Sequence, residues 1–268
     1  MEETKEKNLQ EYSKYYINSP WCHLRYEVQR KKQVIFTALK RMPPLPKDAC
    51  ILDIGFGTGV VIYEFWKQGH EVYGCEVVKE AIGGFFGRFP NCKNSVSLQE
   101  ADAEKLSYSN QTFDLVICSH VLEHIPEDKK CIQEIHRVLK NNGTAFILVP
   151  LNANSEREPF HFKRNYEPES FRQICTKNEF AVIKYLLYSS WYDELINQFY
   201  ALLGFLWKKK TGNYSVRLNV NPFILRIYKL FTKFLIILSF LDKLHFTRDN
   251  EVLYVVQKAA KSRGGLNG

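Results

Sequence analysis

The chain has 268 residues, of which 45% are hydrophobic and 25% charged, and its formal net charge is +8. That length can hold one large domain with a single core, or one domain with an appendage. The charged opening residues 1–7 lack the apolar core of a secretory signal, and seven cysteines without a CxxC spacing argue against a disulfide framework. We therefore expect a cytoplasmic protein.

Residues 1–46 are predicted to form a helical cap. Aromatic side chains crowd between Tyr12 and Tyr26, ahead of a helix predicted over 27–41. The run Pro43-Pro44-Leu45-Pro46 then marks a stiff junction into the first strand.

The most informative stretch is Ile-Leu-Asp-Ile-Gly-Phe-Gly-Thr-Gly at residues 51–59. An apolar run typical of a strand is followed by glycines at every second position, and a helix is predicted over 60–68. Glycine can adopt φ > 0 and lets a ligand lie against the backbone. A strand that breaks into such a turn and then opens a helix predicts a nucleotide cradle at the carboxyl end of the strand.

Several common nucleotides fit this turn poorly. The third glycine of the dinucleotide fingerprint is replaced by Val60, and no Gly-Lys-Ser/Thr triplet follows. The turn carries no cation for a pyrophosphate, but Asp53 precedes its first glycine. An acid there suits a ligand with an amino group and a sulfonium. A plain tight turn in another α/β fold is the alternative.

Acidic residues follow the next strands as well. The second predicted strand, 70–76, ends in Glu76, at the separation from Gly55 at which a βαβ unit returns an acid to ribose hydroxyls. A solvated acid at a strand end is the alternative for Glu76. A third strand near 96–100 leads into Asp102 and Ala103. The continuous apolar run 113–118 is typical of a strand covered on both faces, and Ser119-His120-Val121-Leu122-Glu123-His124-Ile125-Pro126 follows it.

These four motifs, in this order over residues 49–150, resemble the class I S-adenosylmethionine-dependent methyltransferases. The resemblance implies an α/β fold of the Rossmann-like methyltransferase type, a mostly parallel seven-stranded sheet with helices on both faces. It also implies an enzyme that transfers a methyl group from S-adenosyl-L-methionine, and no metal ion.

The resemblance also implies roles for individual residues. The glycine turn would hold the methionine part, Glu76 the ribose, and Asp102 with Ala103 the adenine. Arg25, in the N-terminal segment, would meet the methionine carboxylate. The expected cofactor contacts are, in full, Arg25, Asp53, Gly55, Phe56, Gly57, Thr58, Gly59, Glu76, Val77, Asp102, Ala103, Ser119 and His120.

Histidine is the natural candidate for a base, because its pKa lies near neutrality. A base is needed only when the acceptor holds its proton tightly. The candidates are His120 and His124, which follow the fourth strand, and His161 in the loop after the fifth. Each could instead be structural: His124 could orient its loop, and His120 could line the methionine end of the cofactor. Glu123 and Tyr166 are candidate helpers.

The second half of the chain completes the sheet and interrupts it. A helix is predicted over 127–139 with Gly143 at its C-terminus, followed by strands over 144–149, 181–188 and 251–257. Two apolar helices, 191–207 and 223–241, fill the gap before the last strand. We therefore divide the chain into the cap, a core at 47–190, a helical insertion at 191–247, and the last strand with its tail at 248–268.

The insertion carries the excess charge. Residues 191–268 hold 12 Lys and Arg against 5 Asp and Glu, and Arg226, Lys229 and Lys233 share one helix face. The insertion could be a lid, a homodimer contact or a membrane-surface element at the cytoplasmic face. Nucleic-acid binding is disfavoured, because the stripe is short and its aromatics look buried.

The apolar insertion favours a small, amphiphilic or lipid-like acceptor, such as a quinone, methylated at oxygen or carbon. The alternative is a non-catalytic fold relative that binds S-adenosylmethionine and acts as a regulatory or membrane-peripheral subunit.

Overall fold

The computed structural model of the chain describes residues 22–153, 162, 164–188, 222–238 and 251–259. The expectations for residues 1–21, for His161 and for the helix at 191–207 lie outside these ranges. The strands are β1 (Cys50–Ile54), β2 (Glu71–Glu76), β3 (Val96–Glu100), β4 (Phe113–Ser119), β5 (Leu139–Pro150), β6 (Asn152–Ala153), β7 (Arg164–Asn165), β8 (Phe180–Tyr188) and β9 (Glu251–Lys258). The helices are α1 (Tyr26–Leu39), α2 (Val60–Lys67), α3 (Lys79–Arg88), α4 (Asp128–Val138), α5 (Pro168–Lys177) and α6 (Pro222–Leu238).

Seven of these strands form one sheet in the order β3-β2-β1-β4-β5-β9-β8, and β6 pairs with β7 separately. The first five strands run parallel, while β9 lies antiparallel between β5 and β8. The predicted fold class is therefore confirmed. Strand order reverses between β1 and β4, which places a ligand crevice at the carboxyl ends of these strands.

Helices cover both faces of the sheet, so its central strands read as continuous apolar runs. On one face α1, α2 and α3 pack on the sheet through buried side chains such as Ile35, Phe65 and Phe85. On the other face α4 and α5 pack through Ile135 and Phe171. The helices therefore leave the strand ends accessible while fixing the sheet between them.

Helix α4 ends one residue before its predicted end at 139, and the prediction that Gly143 marks its C-terminus is wrong. The helix ends at Val138, and extended backbone begins at Leu139, whose fully buried side chain lies on the sheet beside Phe113. The ammonium of Lys258, from the last strand, donates to the carbonyls of His136 and Leu139 at 2.7 and 2.8 Å. Since the backbone turns extended and joins the sheet at Leu139, Gly143 does not mark the end of the helix.

The connection between β8 and β9 contains helix α6, whose described residues, Pro222–Leu238, correspond to the helix predicted over 223–241. Within the described ranges, none of the helices combines the length and apolar character needed to cross a membrane. Helix α6 lies against α1.

The junction between the glycine turn and α2 makes a stability prediction. Gly59 has φ +74°, and a Cβ there would overlap the Phe85 ring, whereas a Cβ on exposed Gly83 in α3 meets nothing within 4 Å. Gly59→Ala should therefore lower the free energy of unfolding by ~2–4 kcal/mol. The matched change Gly83→Ala should raise it by ~0.5–1 kcal/mol, since alanine favours helix. Urea unfolding measures both, and equal effects would contradict the packing described.

Candidate active site

The glycine turn after β1 is built from left-handed backbone. Gly55, Gly57 and Gly59 have φ of 63°, 53° and 74°, values that favour glycine. The Gly55 N–H donates to the carbonyl of Cys75 at 2.8 Å, which ties the turn to β2. A Cβ on Gly55 would overlap the side chain of Val121. The turn is therefore clamped between the ends of β2 and β4, with its own backbone lining the crevice.

The carboxylate of Glu76 is buried at the end of β2 and organises this turn. Its Oε2 accepts from the Gly57 N–H at 3.0 Å, and its Oε1 accepts from the Val77 N–H at 2.9 Å. Burial raises the pKa of Glu76, while the N–H groups of Gly57, Val77 and Val78 oppose that rise. The carboxylate is thus fixed in orientation, at the strand end where the sequence places a ribose-binding acid.

Asp53, at the end of β1, is a second buried acid. Burial raises its pKa well above the usual range, and the charge of Glu76 raises it further. Two neighbouring buried carboxyl groups favour a ligand that brings hydrogen-bond donors or positive charge into the crevice.

The loop after β3 lies beside the end of β2. The Ala101 N–H donates to the carbonyl of Glu76 at 3.0 Å. Asp102 Oδ1 accepts from the Glu104 N–H at 2.9 Å, and Ala103 is buried. The structure therefore brings the expected ribose and adenine segments together.

The segment after β4 carries a histidine held by a carboxylate. His120 has φ of 55°, and its N–H donates to the carbonyl of Leu148 at 2.8 Å. Its Nδ1 lies 2.9 Å from Oε1 of Glu123, which is fully buried. Its Nε2 lies 3.7 Å from Oε1 of Glu251, the first residue of β9. The imidazole thus sits between two carboxylates.

The buried Glu123 carboxyl is held ionised. Burial would raise its pKa, but the hydrogen bond and charge of His120, with the charge of His124, outweigh that effect and lower it to about 2. An ionised Glu123 can accept a hydrogen bond from Nδ1–H of His120, so Nε2 is the ring nitrogen at which a proton can be exchanged.

Unpaired polar atoms gather at the same strand end. Ser119 Oγ, His120 Nε2 and Glu123 Oε2 are buried without a hydrogen-bond partner. A buried polar atom left unpaired costs ~1–3 kcal/mol, so such atoms are typical of a site that a polar ligand completes.

Other predicted residues have structural partners. Arg25, at the start of α1, pairs through Nε with Glu27 Oε1 at 2.5 Å. The His124 N–H donates to the carbonyl of Val121 at 2.9 Å. The buried Tyr166 donates to Asp128 Oδ2 at 3.2 Å. A cofactor role for Arg25 and a base role for His124 stay predictions.

Sequence reasoning missed Glu251, because nothing near it in the chain marks the first residue of a strand as part of a site. The sequence named Glu123 as a candidate helper, but it did not indicate that this side chain is fully buried or that it is hydrogen-bonded to His120. No group of three metal-binding side chains occurs in the part of the chain that the structure describes.

The raised pKa of Asp53 predicts a gain in stability on its neutralisation. A carboxyl with a raised pKa binds its proton more tightly in the folded chain than in the unfolded chain. The folded state therefore loses stability as the pH rises from the unfolded pKa, about 3.9, through the raised folded pKa. Asp53→Asn should therefore raise the free energy of unfolding of the unliganded protein at pH 7 by ~0.5–2 kcal/mol. Denaturant titrations at pH 5 and pH 8 should show a larger gain at pH 8.

The control is Asp114→Asn. Asp114 Oδ2 accepts from Lys140 Nζ at 2.7 Å and from the Cys50 N–H at 2.9 Å, so its neutralisation should destabilise the fold. A loss of stability in Asp53→Asn as large as in this control would show that Asp53 is not an unfavourably buried charge.

Comparison with known proteins agrees with this geometry. Residues 52–147 match the family model described as a methyltransferase domain. The uncharacterized methyltransferase YcgJ of Bacillus subtilis is 32% identical over 101 residues, which cover 37% of this chain and 39% of YcgJ. A ubiquinone biosynthesis O-methyltransferase of Aeromonas salmonicida is 30% identical over 100 residues, 36% of this chain and 41% of that protein.

A third relative matches a longer region. The demethylmenaquinone methyltransferase of Chlamydia caviae is 27% identical over 144 residues, 51% of this chain and 61% of that protein. The match to each of these relatives thus spans less than two thirds of the relative's length.

Solved structures share the fold over most of the chain. The [4+2]-cyclase SpnF aligns with a TM-score of 0.62 at 16% identity, over 85% of this chain and 81% of that one. Phosphoethanolamine N-methyltransferase 2 of Haemonchus contortus, in complex with S-adenosyl-L-methionine, aligns with a TM-score of 0.56 at 17% identity, over 92% of this chain and 60% of that one. Residues 52–147 are therefore similar to a methyltransferase domain, and the chain shares its fold with these solved structures.

Proposed function

We propose that this protein transfers a methyl group from S-adenosyl-L-methionine to an oxygen or carbon of a small, amphiphilic, quinone-like acceptor. The observation that carries the proposal is the buried Glu76 carboxylate, oriented by the Gly57 and Val77 N–H groups beside the glycine turn. The match to a methyltransferase domain covers this same region.

The residues present fit this cofactor. Glu76 would accept from the ribose hydroxyls, and Asp102 with Ala103 would hold the adenine. The glycine backbone and Ser119, whose Oγ is buried without a hydrogen-bond partner, would contact the methionine part. Asp53 would favour a cofactor that carries an amino group and a sulfonium, because a nearby positive charge would stabilise its buried carboxylate.

The bound cofactor would supply an electrophilic methyl group on sulfur. Displacement at that carbon neutralises charge, so the main task of the protein is to align the acceptor with the methyl–sulfur bond and to exclude water. Alignment alone can contribute ~7–11 kcal/mol to lowering the barrier. We assign acceptor binding to the N-terminal cap and the insertion.

An acceptor hydroxyl would need a base, and His120 is best placed to act as one. Glu123 fixes the imidazole tautomer through Nδ1, so Nε2 can take the proton. The nearby carboxylate of Glu251 would then stabilise the imidazolium. This arrangement of base and orienting carboxylate resembles a catalytic triad in its logic. His161, which the sequence places after the fifth strand, stays an alternative candidate for the base.

The names of two relatives support the acceptor class, since one acts in ubiquinone biosynthesis and the other on demethylmenaquinone. The test is release of S-adenosylhomocysteine by the purified chain with a hydroxylated quinol that carries a short isoprenoid side chain. Turnover supports the enzyme. Tight cofactor binding without turnover on any quinol or catechol would favour the non-catalytic relative instead.

A binding prediction tests the role of Glu76. Glu76→Ala should weaken S-adenosylmethionine binding by ~1–3 kcal/mol, because the ribose hydroxyls lose their acceptor. Isothermal titration calorimetry measures the change. The control is Glu100→Ala: Glu100 stands opposite Glu76 in the β2–β3 register but is exposed, and its loss should leave affinity unchanged. Equal affinities in all three proteins would reject the assignment.

A kinetic prediction tests His120. With a phenolic acceptor, His120→Gln should lower kcat at pH 7 by ~10²–10⁴-fold, and much of the loss should be recovered as pH approaches the phenol pKa of about 10. Steady-state rates across pH measure this. His136→Gln, on helix α4, serves as the control and should keep wild-type rates. A pH-independent loss would indicate that His120 binds ligand without acting as a base.

A further inference from the structure

Among the residues that the structure describes, helix α6 packs on α1 through one face and exposes large apolar side chains on another. On the inner face, Leu235 is buried against Tyr26, and Phe231 and Ile236 pack against the same pair. The hydroxyl of Thr232 donates to the carbonyl of Leu24 at 3.2 Å. These contacts fix the orientation of the helix on α1.

The outer face exposes large apolar side chains. Leu230, Phe234 and Ile237 recur at the helical spacing of four and three residues, and they are 58%, 53% and 66% exposed. A single exposed apolar residue is ordinary, but a row of three opposite a docked face marks an interaction site.

Cations line one flank of this row. Arg226, Lys229 and Lys233 are all exposed, and the helix sequence contains no acidic residue. Lys and Arg can lay their aliphatic stems along apolar surface while their charged ends reach anionic groups. Apolar and cationic side chains on one face, without acids, complement an anionic phospholipid surface, with acyl chains below and phosphates above.

This charge pattern disfavours two other occupants. A symmetric contact between two copies through this face would bring the cations of both copies together. Nucleic acid would engage the cations but leave the three apolar side chains without a partner.

We propose that α6 docks this protein on anionic membranes. The helix lies in the plane of the membrane–water interface. Leu230, Phe234 and Ile237 enter the boundary of the acyl chains. Arg226, Lys229 and Lys233 contact the lipid phosphates.

The docked helix would also lie near the acceptor side of the site. It is held by the start of α1, where the Arg30 guanidinium lies 5.6 Å from the Tyr188 ring centroid at the end of β8. Tyr188 pairs in register with Glu251, whose carboxylate faces His120. The link to a lipid-dissolved acceptor rests on the proposed function, whereas the membrane contact does not.

The test is flotation of the full chain with vesicles of phosphatidylcholine, with and without phosphatidylglycerol. The wild type should float with the anionic vesicles, and high salt should weaken this binding. Two sets of changes on the outer face should each weaken binding at least tenfold. The first replaces the apolar row, with Leu230→Ser, Phe234→Ser and Ile237→Ser. The second reverses two charges, with Lys229→Glu and Lys233→Glu.

Matched controls use surface positions elsewhere. Ile183→Ser removes an apolar side chain on β8 that is 56% exposed, and Lys129→Glu with Lys130→Glu reverses two exposed charges on α4. Both should float like the wild type. Calorimetry with S-adenosylmethionine reports whether each variant keeps its cofactor site, so loss of flotation with retained cofactor binding isolates the surface.

A direct readout does not depend on loss of binding. The wild type has four tryptophans, so the readout is the added quenching. Brominated phosphatidylglycerol should quench more fluorescence in Phe234→Trp than in the wild type, and Ile183→Trp should show no such increase. The proposal is overturned if the wild type does not float, or if position 234 stays unquenched. It is also overturned if the outer-face changes abolish a dimer in sedimentation velocity while flotation persists.

Discussion

The hydrogen bonds from the glycine turn to a buried carboxylate are the interaction on which the site depends. Glu76 accepts from Gly57 and Val77, so the end of β2 and the turn after β1 form one rigid unit. Burial of that carboxylate costs solvation free energy and raises its pKa. The fold retains this unfavourable group where hydroxyl donors of a ligand would satisfy it.

Other buried polar groups also lie at the carboxyl ends of the neighbouring strands. Asp53 is buried beside Glu76, and unpaired polar atoms of Ser119, His120 and Glu123 gather after β4. Each is unfavourable in the unliganded protein, and such features concentrate at functional sites. The sheet tolerates them because the helices on both faces bury the apolar side chains of its central strands.

Much of the fold could be predicted from the sequence, because its signals are local. The glycine spacing after Asp53, the acid ending the second strand and the apolar run into Ser119 each specify a strand end. What failed depends on distant partners. Helix α4 ends where Leu139 joins the sheet opposite Phe113, and Lys258, about 120 residues away in the chain, binds the carbonyls of His136 and Leu139. Glu251 reaches His120 only because β9 is antiparallel beside β5, so that it starts where the parallel strands end.

The central claim is that the turn shapes a pocket for an adenosyl sulfonium rather than for a pyrophosphate coenzyme. The most direct measurement is calorimetric titration of the wild-type chain with S-adenosylmethionine, S-adenosylhomocysteine and NAD. We predict saturable one-to-one binding of the first two and none of the third. Binding of NAD with no heat from either adenosyl ligand would contradict the account.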